Sequence, residues 1–137
     1  MKKIKIIAVG GIKEKYLSDA ISEYKKRLNK FCKLEIIEIE EGEDIKKYAP
    51  IDFLFDIEGE LVSSQSLAST LDKHYLYQDT ASFLIGGSHG FIKEQKNYAK
   101  KLVSFGRVTY PHQLFRVLVL EQIYRAFSIN QGLPYHK

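Results

Sequence analysis

The chain has 137 residues, 45% of them hydrophobic and 28% charged. That length suits one packed domain over residues 1–137, and the composition excludes disordered and collagen-like classes. With 21 basic and 17 acidic side chains the net charge is +4, compatible with a polyanionic partner without demanding one. The single cysteine, Cys32, excludes an internal disulfide and a cysteine-based zinc site, and it suits a reducing compartment.

The first nine residues begin like a secretory signal, but Lys5 breaks the apolar run and Lys13, Glu14 and Lys15 close it. Nothing approaches the roughly 18 apolar residues of a membrane span. A cytoplasmic protein with no membrane partner is expected.

Ile4 to Val9 reads as a strand ending at Gly10-Gly11. Leu17, Ala20, Ile21, Tyr24, Leu28 and Phe31 recur at helical spacing and predict an amphipathic helix. Leu34 to Glu40 largely alternates and reads as a second strand, and Phe53 to Ile57 is a third. Leu67, Ala68, Leu71 and Tyr75 mark a second helix, with Ser63 and Ser64 as candidate caps. Ser82 to Ile85 is a fourth strand running into Gly86-Gly87. Ile92, Tyr98, Ala99 and Leu102 suggest a third helix, and Phe105 to Tyr110 a fifth strand stopped by Pro111. Gln113 to Asn130 is helical by composition and ends before Gly132 and Pro134. Alternating strands and helices argue for an α/β fold with a mainly parallel sheet flanked by helices.

The last helix is apolar on nearly every face, from Leu114 to Ile129, which requires burial on several sides. In so short a chain, burial against a second copy is the natural expectation; a central core helix is the alternative.

Gly86-Gly87-Ser88-His89-Gly90 matches G-x-S-x-G, and chain order offers Ser88, Glu121 and His136 as a hydrolase triad. An α/β-hydrolase sheet needs more chain than this, so a turn presenting backbone to a ligand is the simpler reading. The loop lacks the Gly-Lys-Ser/Thr of a phosphate-binding loop, Gly10-Gly11 lacks the third glycine of a dinucleotide fingerprint, and the four histidines show no metal-ligand spacing. Two backbone-exposing loops remain, Gly86–Gly90 and Gly106–Gln113, at the ends of consecutive strands, where parallel α/β sheets bind ligands.

Phe83 to Phe91, Val108 to Gln113, Arg116-Val117-Leu118, Glu121 to Phe127 and the ending Pro134-Tyr135-His136-Lys137 together resemble the ribosomal RNA large subunit methyltransferase H family, within the SPOUT class of knotted methyltransferases. Order and spacing match from Phe83 to the end; Ile7 to Gly10 and the first helix match more loosely. The resemblance implies a SPOUT-like fold with a C-terminal trefoil knot, a homodimer, S-adenosyl-methionine as cofactor and no metal. It implies N3 methylation of a pseudouridine in large-subunit (23S) rRNA on the assembled ribosome. By position, cofactor contacts fall on Phe55, where the family commonly has leucine, on Gly87, and on Gly106, Arg107, Val108, Thr109, Tyr110 and Pro111. Two departures stand out. Ser88-His89 replace a Pro-Glu pair of many relatives, and only Glu40 to Asp52 join the second and third strands, where relatives carry a longer helical segment.

A methyl donor of this kind needs alignment and a base for the imide proton rather than a covalent intermediate. An imidazole titrating near neutrality suits that task, which favours His136 as the catalytic residue. Arg125 and Lys137 are candidates for RNA phosphates and Tyr135 for stacking on a base. The tail lies beyond the helix stop and is expected to be dispensable for folding. A non-catalytic RNA-binding or ribosome-associated module is the alternative from a different class; a small serine hydrolase is disfavoured.

Overall fold

A computed structural model describes residues 1–137. Five parallel strands form one sheet in the order β2-β1-β4-β3-β5. They are β1 (Lys3–Val9), β2 (Lys33–Ile39), β3 (Ile51–Leu61), β4 (Thr80–Ile85) and β5 (Ala99–Ser104). The helices are α1 (Lys15–Leu28), α2 (Ser64–His74), the four-residue α3 (Lys93–Lys96) and α4 (His112–Asn130).

Side-chain alternation sends Ile4, Ile6 and Ala8 of β1 to one face and Ile7 and Val9 to the other. The first face carries α1, α2 and α4 over a cluster of 20 buried residues. The second is covered by the β2–β3 connection and by Phe91 and Tyr98, which flank α3, and its cluster has 7. That connection, Glu40–Pro50, holds a 3₁₀ turn, Ile45–Tyr48, pinned by the buried Ile45. Glu43 clamps it, accepting from the Tyr48 hydroxyl and from the Glu40 N–H at 2.9 Å. The crossover is short but built. Ser63 caps α2 as expected, accepting from Ser66 N at 3.0 Å, while the Ser64 hydroxyl ties α2 to Gln122 of α4 at 2.7 Å. Cys32 is buried in the first cluster, where burial pushes its thiol pKa up to about 12 and leaves it an inert core residue.

Two sequence expectations are corrected. The third helix is only Lys93–Lys96, and the fifth strand is Ala99–Ser104, not Phe105–Tyr110. Tyr98, Ala99 and Leu102 fit a helical period, but pairing with β3 decides the outcome: Ala99 registers with Ile51, Leu102 with Leu54 and Val103 with Phe55. Lys100 and Lys101 mark an edge strand, held by Asp52 and Glu60 at 3.2 and 3.4 Å. Phe105 to Pro111 is therefore loop.

Nor does α4 need a second copy for its burial, contrary to expectation. The helix lies between α1 and α2, and Val117, Val119, Leu120, Ile123, Tyr124, Ala126 and Phe127 are buried within one chain. Leu114 and the half-buried Leu118 remain for any partner.

Candidate cofactor cleft and active site

A cleft of about 530 Å³ opens beyond the carboxyl ends of β4 and β5, beside Phe55–Ile57 in the middle of β3 and at the start of α4. This is where open parallel sheets bind ligands, and the volume lies within the range of small-molecule sites. Phe55 of β3 forms its floor. Its ring meets Phe105 at 5.0 Å and Phe115 at 5.4 Å, both edge-on, and Phe115 meets Tyr110 at 5.8 Å. The result is an apolar wall suited to a flat ring.

The opposite wall is backbone. Gly87 and the loop residues Gly106, Val108, Thr109, Tyr110 and Pro111 all line the cleft. The N–H groups of Val108, Thr109 and Tyr110, which line the cleft, find no partner within the chain and are free to meet a ligand. Gly106 sets the loop's path with φ of +122°, a conformation that side chains resist. Ser104 Oγ accepts from Gly106 N at 3.1 Å and donates to Gly106 O at 2.9 Å or Ile57 O at 3.2 Å. Arg107 is absent from the lining. Its guanidinium donates to the carbonyls of Ile57 and Gly59, the latter at 3.1 Å, and so moors the loop to the outer half of β3. The other end is moored by Arg116, buried at the start of α4, which donates to Glu38 at 2.5 Å and to Gly10 O at 2.8 Å.

The tail stands apart from this cleft. Tyr135 donates from its hydroxyl to Glu121 Oε2 at 2.8 Å and packs edge-on against Tyr124 at 4.7 Å. Burial, then the bond to Glu121, push its pKa up, so the phenol stays a donor. Arg125 grips the same carboxylate oxygen at 2.9 Å and donates to His136 Nδ1 at 3.0 Å, while His136 Nε2 lies 3.1 Å from the Gln65 amide. The expectation that the tail serves nothing in the core is corrected, because Tyr135 packs against the main cluster. Arg125 is neutralised by Glu121 within its own chain; Lys137 is exposed. The triad Ser88–Glu121–His136 is not assembled: Ser88 lines the cleft, while the other two are engaged with Arg125.

Two imidazoles that the sequence reading gave no catalytic role, His89 and His112, do line the cleft. His112 directly follows Pro111 at the first position of α4, which was the available signal. No helix is long and apolar enough to cross a membrane, and no three His, Cys, Asp or Glu side chains are grouped to hold a metal ion.

The family described as "Predicted SPOUT methyltransferase" matches residues 1–136. The chain belongs to the SPOUT methyltransferase family. Among its relatives, a protein named ribosomal RNA large subunit methyltransferase H from Caldicellulosiruptor saccharolyticus is 44% identical, over 98% of this chain and 99% of that one. One of the same name from Streptococcus pneumoniae is 43% identical over the same shares. The first alignment runs over 154 positions against 137 residues here, and the sequence puts the shortness at Glu40–Asp52. Two solved structures share the SPOUT fold at low identity. A probable methylase family protein from Haemophilus influenzae has a TM-score of 0.58 at 10% identity, covering 98% of this chain and 70% of that one. A tRNA (m1G37) methyltransferase from Aquifex aeolicus has 0.54 at 13%, covering 98% and 72%.

Proposed function

We propose that this SPOUT protein is an S-adenosyl-methionine-dependent methyltransferase acting on N3 of a pseudouridine in large-subunit rRNA, on the assembled ribosome, as a cytoplasmic homodimer. The trefoil knot implied by the resemblance belongs to the same reading. The observation that carries it is the cleft at the ends of β4 and β5, beside Phe55 of β3, in a chain 44% identical, nearly end to end, to a large-subunit rRNA methyltransferase.

The residues present fit the cofactor. The free N–H groups of Val108 to Tyr110 suit the edge of a heteroaromatic base, and the Phe55–Phe115 wall suits its face. When bound, the cofactor supplies an activated methyl group on a sulfonium. The chain has to exclude water, align the acceptor and receive the N3 proton. Within one chain His89 and His112 stand at the cleft and His136 does not. In a dimer the tail of one subunit would bring His136 to the cleft of the other, with Tyr135 and Lys137 toward the RNA. His136 would then have to leave Arg125, which occupies the lone pair at Nδ1.

Calorimetry with S-adenosyl-methionine separates this reading from a non-catalytic RNA-binding module, which would bind none. Methyl incorporation into ribosomes and into free large-subunit rRNA then tests the acceptor. Ribosomes should be much the better substrate, because the chain has little surface for sequence readout; equal rates contradict it.

A further inference from the structure

The unpaired positive charge of this chain collects at the pole opposite the cleft. Lys3 opens β1 and Lys33 opens β2, and the two are direct partners in the ladder. Adjacent strands lie about 4.8 Å apart, so these like charges stand side by side on one face. The Lys33 N–H donates to Lys2 O at 2.9 Å, which fixes the juxtaposition. Lys30 precedes them in the turn after α1, and Lys25 and Lys26 lie in the last turn of that helix. Lys3, Lys25, Lys26, Lys30 and Lys33 are all exposed, and none takes part in any of the chain's ion pairs.

Stability accounts for part of this. Lys25 and Lys26 complement the carboxyl end of a helix, and Lys33 lies on an edge strand, where lysine deters pairing with other sheets. Neither reason applies to Lys3, on an interior strand and beside another lysine. The acids nearby are few. Glu35 registers with Lys5, and the Asp79 carboxylate is engaged by Thr80 Oγ1 at 2.9 Å. The other end of β2 has the opposite sign: Glu38, Glu40, Glu41, Glu43 and Asp44 follow one another toward the cleft's rim. These acids offer RNA phosphates no hold on that side, and Arg125 is spent on Glu121.

We infer that Lys3, Lys30 and Lys33, backed by Lys25 and Lys26, form a docking surface for the phosphate backbone of structured RNA. The inference rests on the rRNA reading above. At the rise of a strand, β1 puts this surface roughly 20 Å from the cleft. That span matches a folded particle rather than a single loop.

The test compares the triple variant Lys3→Gln/Lys30→Gln/Lys33→Gln with a control of equal charge, Lys15→Gln/Lys47→Gln/Lys101→Gln. Binding to purified large ribosomal subunits is measured across a salt series. The first variant should bind about 10- to 100-fold more weakly near 0.15 M salt and flatten the log–log salt slope by about 2 to 3. Its S-adenosyl-methionine affinity should equal wild type, which also certifies the fold. An unchanged slope, or an equal loss in the control, overturns the surface alone. So does wild-type protein that sediments with phosphatidylglycerol vesicles and not with subunits. A wild type that binds neither S-adenosyl-methionine nor subunits removes the functional reading, and this inference with it.

Discussion

The Glu41 carboxylate lies 2.7 Å from where a β-carbon on Gly87 would stand, and Val9 Cγ1 lies 3.0 Å away on that side. Gly87 is thus hemmed in from behind while its backbone faces the cleft. Alanine at 87 needs only a rotation of the Glu41 side chain and a slight yield from Val9. Valine would collide with Val9 and push the loop toward the ligand, an overpacking that costs about 1–3 kcal/mol. Gly87→Val should therefore lose about tenfold or more in S-adenosyl-methionine affinity by calorimetry. Gly87→Ala should lose little, and less still with Glu41→Ala. Undiminished affinity in Gly87→Val removes this loop from the cofactor site.

Burial of α4 within one chain changes which substitution tests the dimer. Val117 is 8% exposed, so a charge there harms the subunit itself. Leu118 is half-buried and lies beside the outer strip with Leu114. Leu118→Glu should yield a folded monomer by light scattering and circular dichroism, against a dimeric wild type. A monomeric wild type at micromolar concentration removes the dimer.

The elements that were readable are those whose burial follows one period. Ile4, Ile6 and Ala8 with Ile7 and Val9 announce β1 through an apolar run, and Ser63 announces α2 through its cap. The segment from Ile92 to Tyr110 defeats local pattern because its few apolar residues fit two periods, and the choice is made by partners in β3 that stand 48 residues earlier in the chain. The Gly86–Gly90 loop is legible, since glycine after a strand has few other uses; the loop at Gly106 is legible only in part, because Phe105–Tyr110 also reads as a strand. The spacing of Glu121 and Arg125 suits an ion pair on one helix face, but the sequence reading assigns them to a triad and to RNA instead. That Tyr135 and His136 fold back onto that pair was not legible, nor was the approach of Glu41 to Gly87. Both depend on contacts between segments that no local pattern encodes.

Acid should loosen the β2–β3 connection. Glu43 is held down to about 2 by the Tyr48 hydroxyl first, then by the Glu40 N–H and Lys47. Its folded pKa lies below the usual value of about 4.3, so its stabilisation is present above that value and is lost as pH falls toward 2. Glu43→Gln should lower the melting temperature at pH 6, and the difference from wild type should vanish near pH 2. A gap that persists at pH 2 would assign the effect to packing rather than charge.

The tail decides how the base is supplied. Removing Tyr135 to Lys137 should lower the melting temperature, because Tyr135 loses both Tyr124 and Glu121. His136→Ala keeps that packing and gives up only the ring held by Arg125 and Gln65. If His136 is the base, this variant should bind S-adenosyl-methionine normally and lose about 10²–10⁴-fold in single-turnover methylation at saturating ribosome. His89→Ala and His112→Ala should then retain most of the rate. The cleft of one chain argues the other way, since His89 and His112 line it and His136 does not. A wild-type rate in His136→Ala, with the loss appearing instead in one of the cleft histidines, would place the base inside a single subunit and leave the tail to RNA docking. Mixing His136→Ala with a cofactor-binding variant such as Gly87→Val adds the remaining arm. Shared sites across a dimer should restore activity in the mixed species, because one of its two clefts then combines an intact loop with an intact tail.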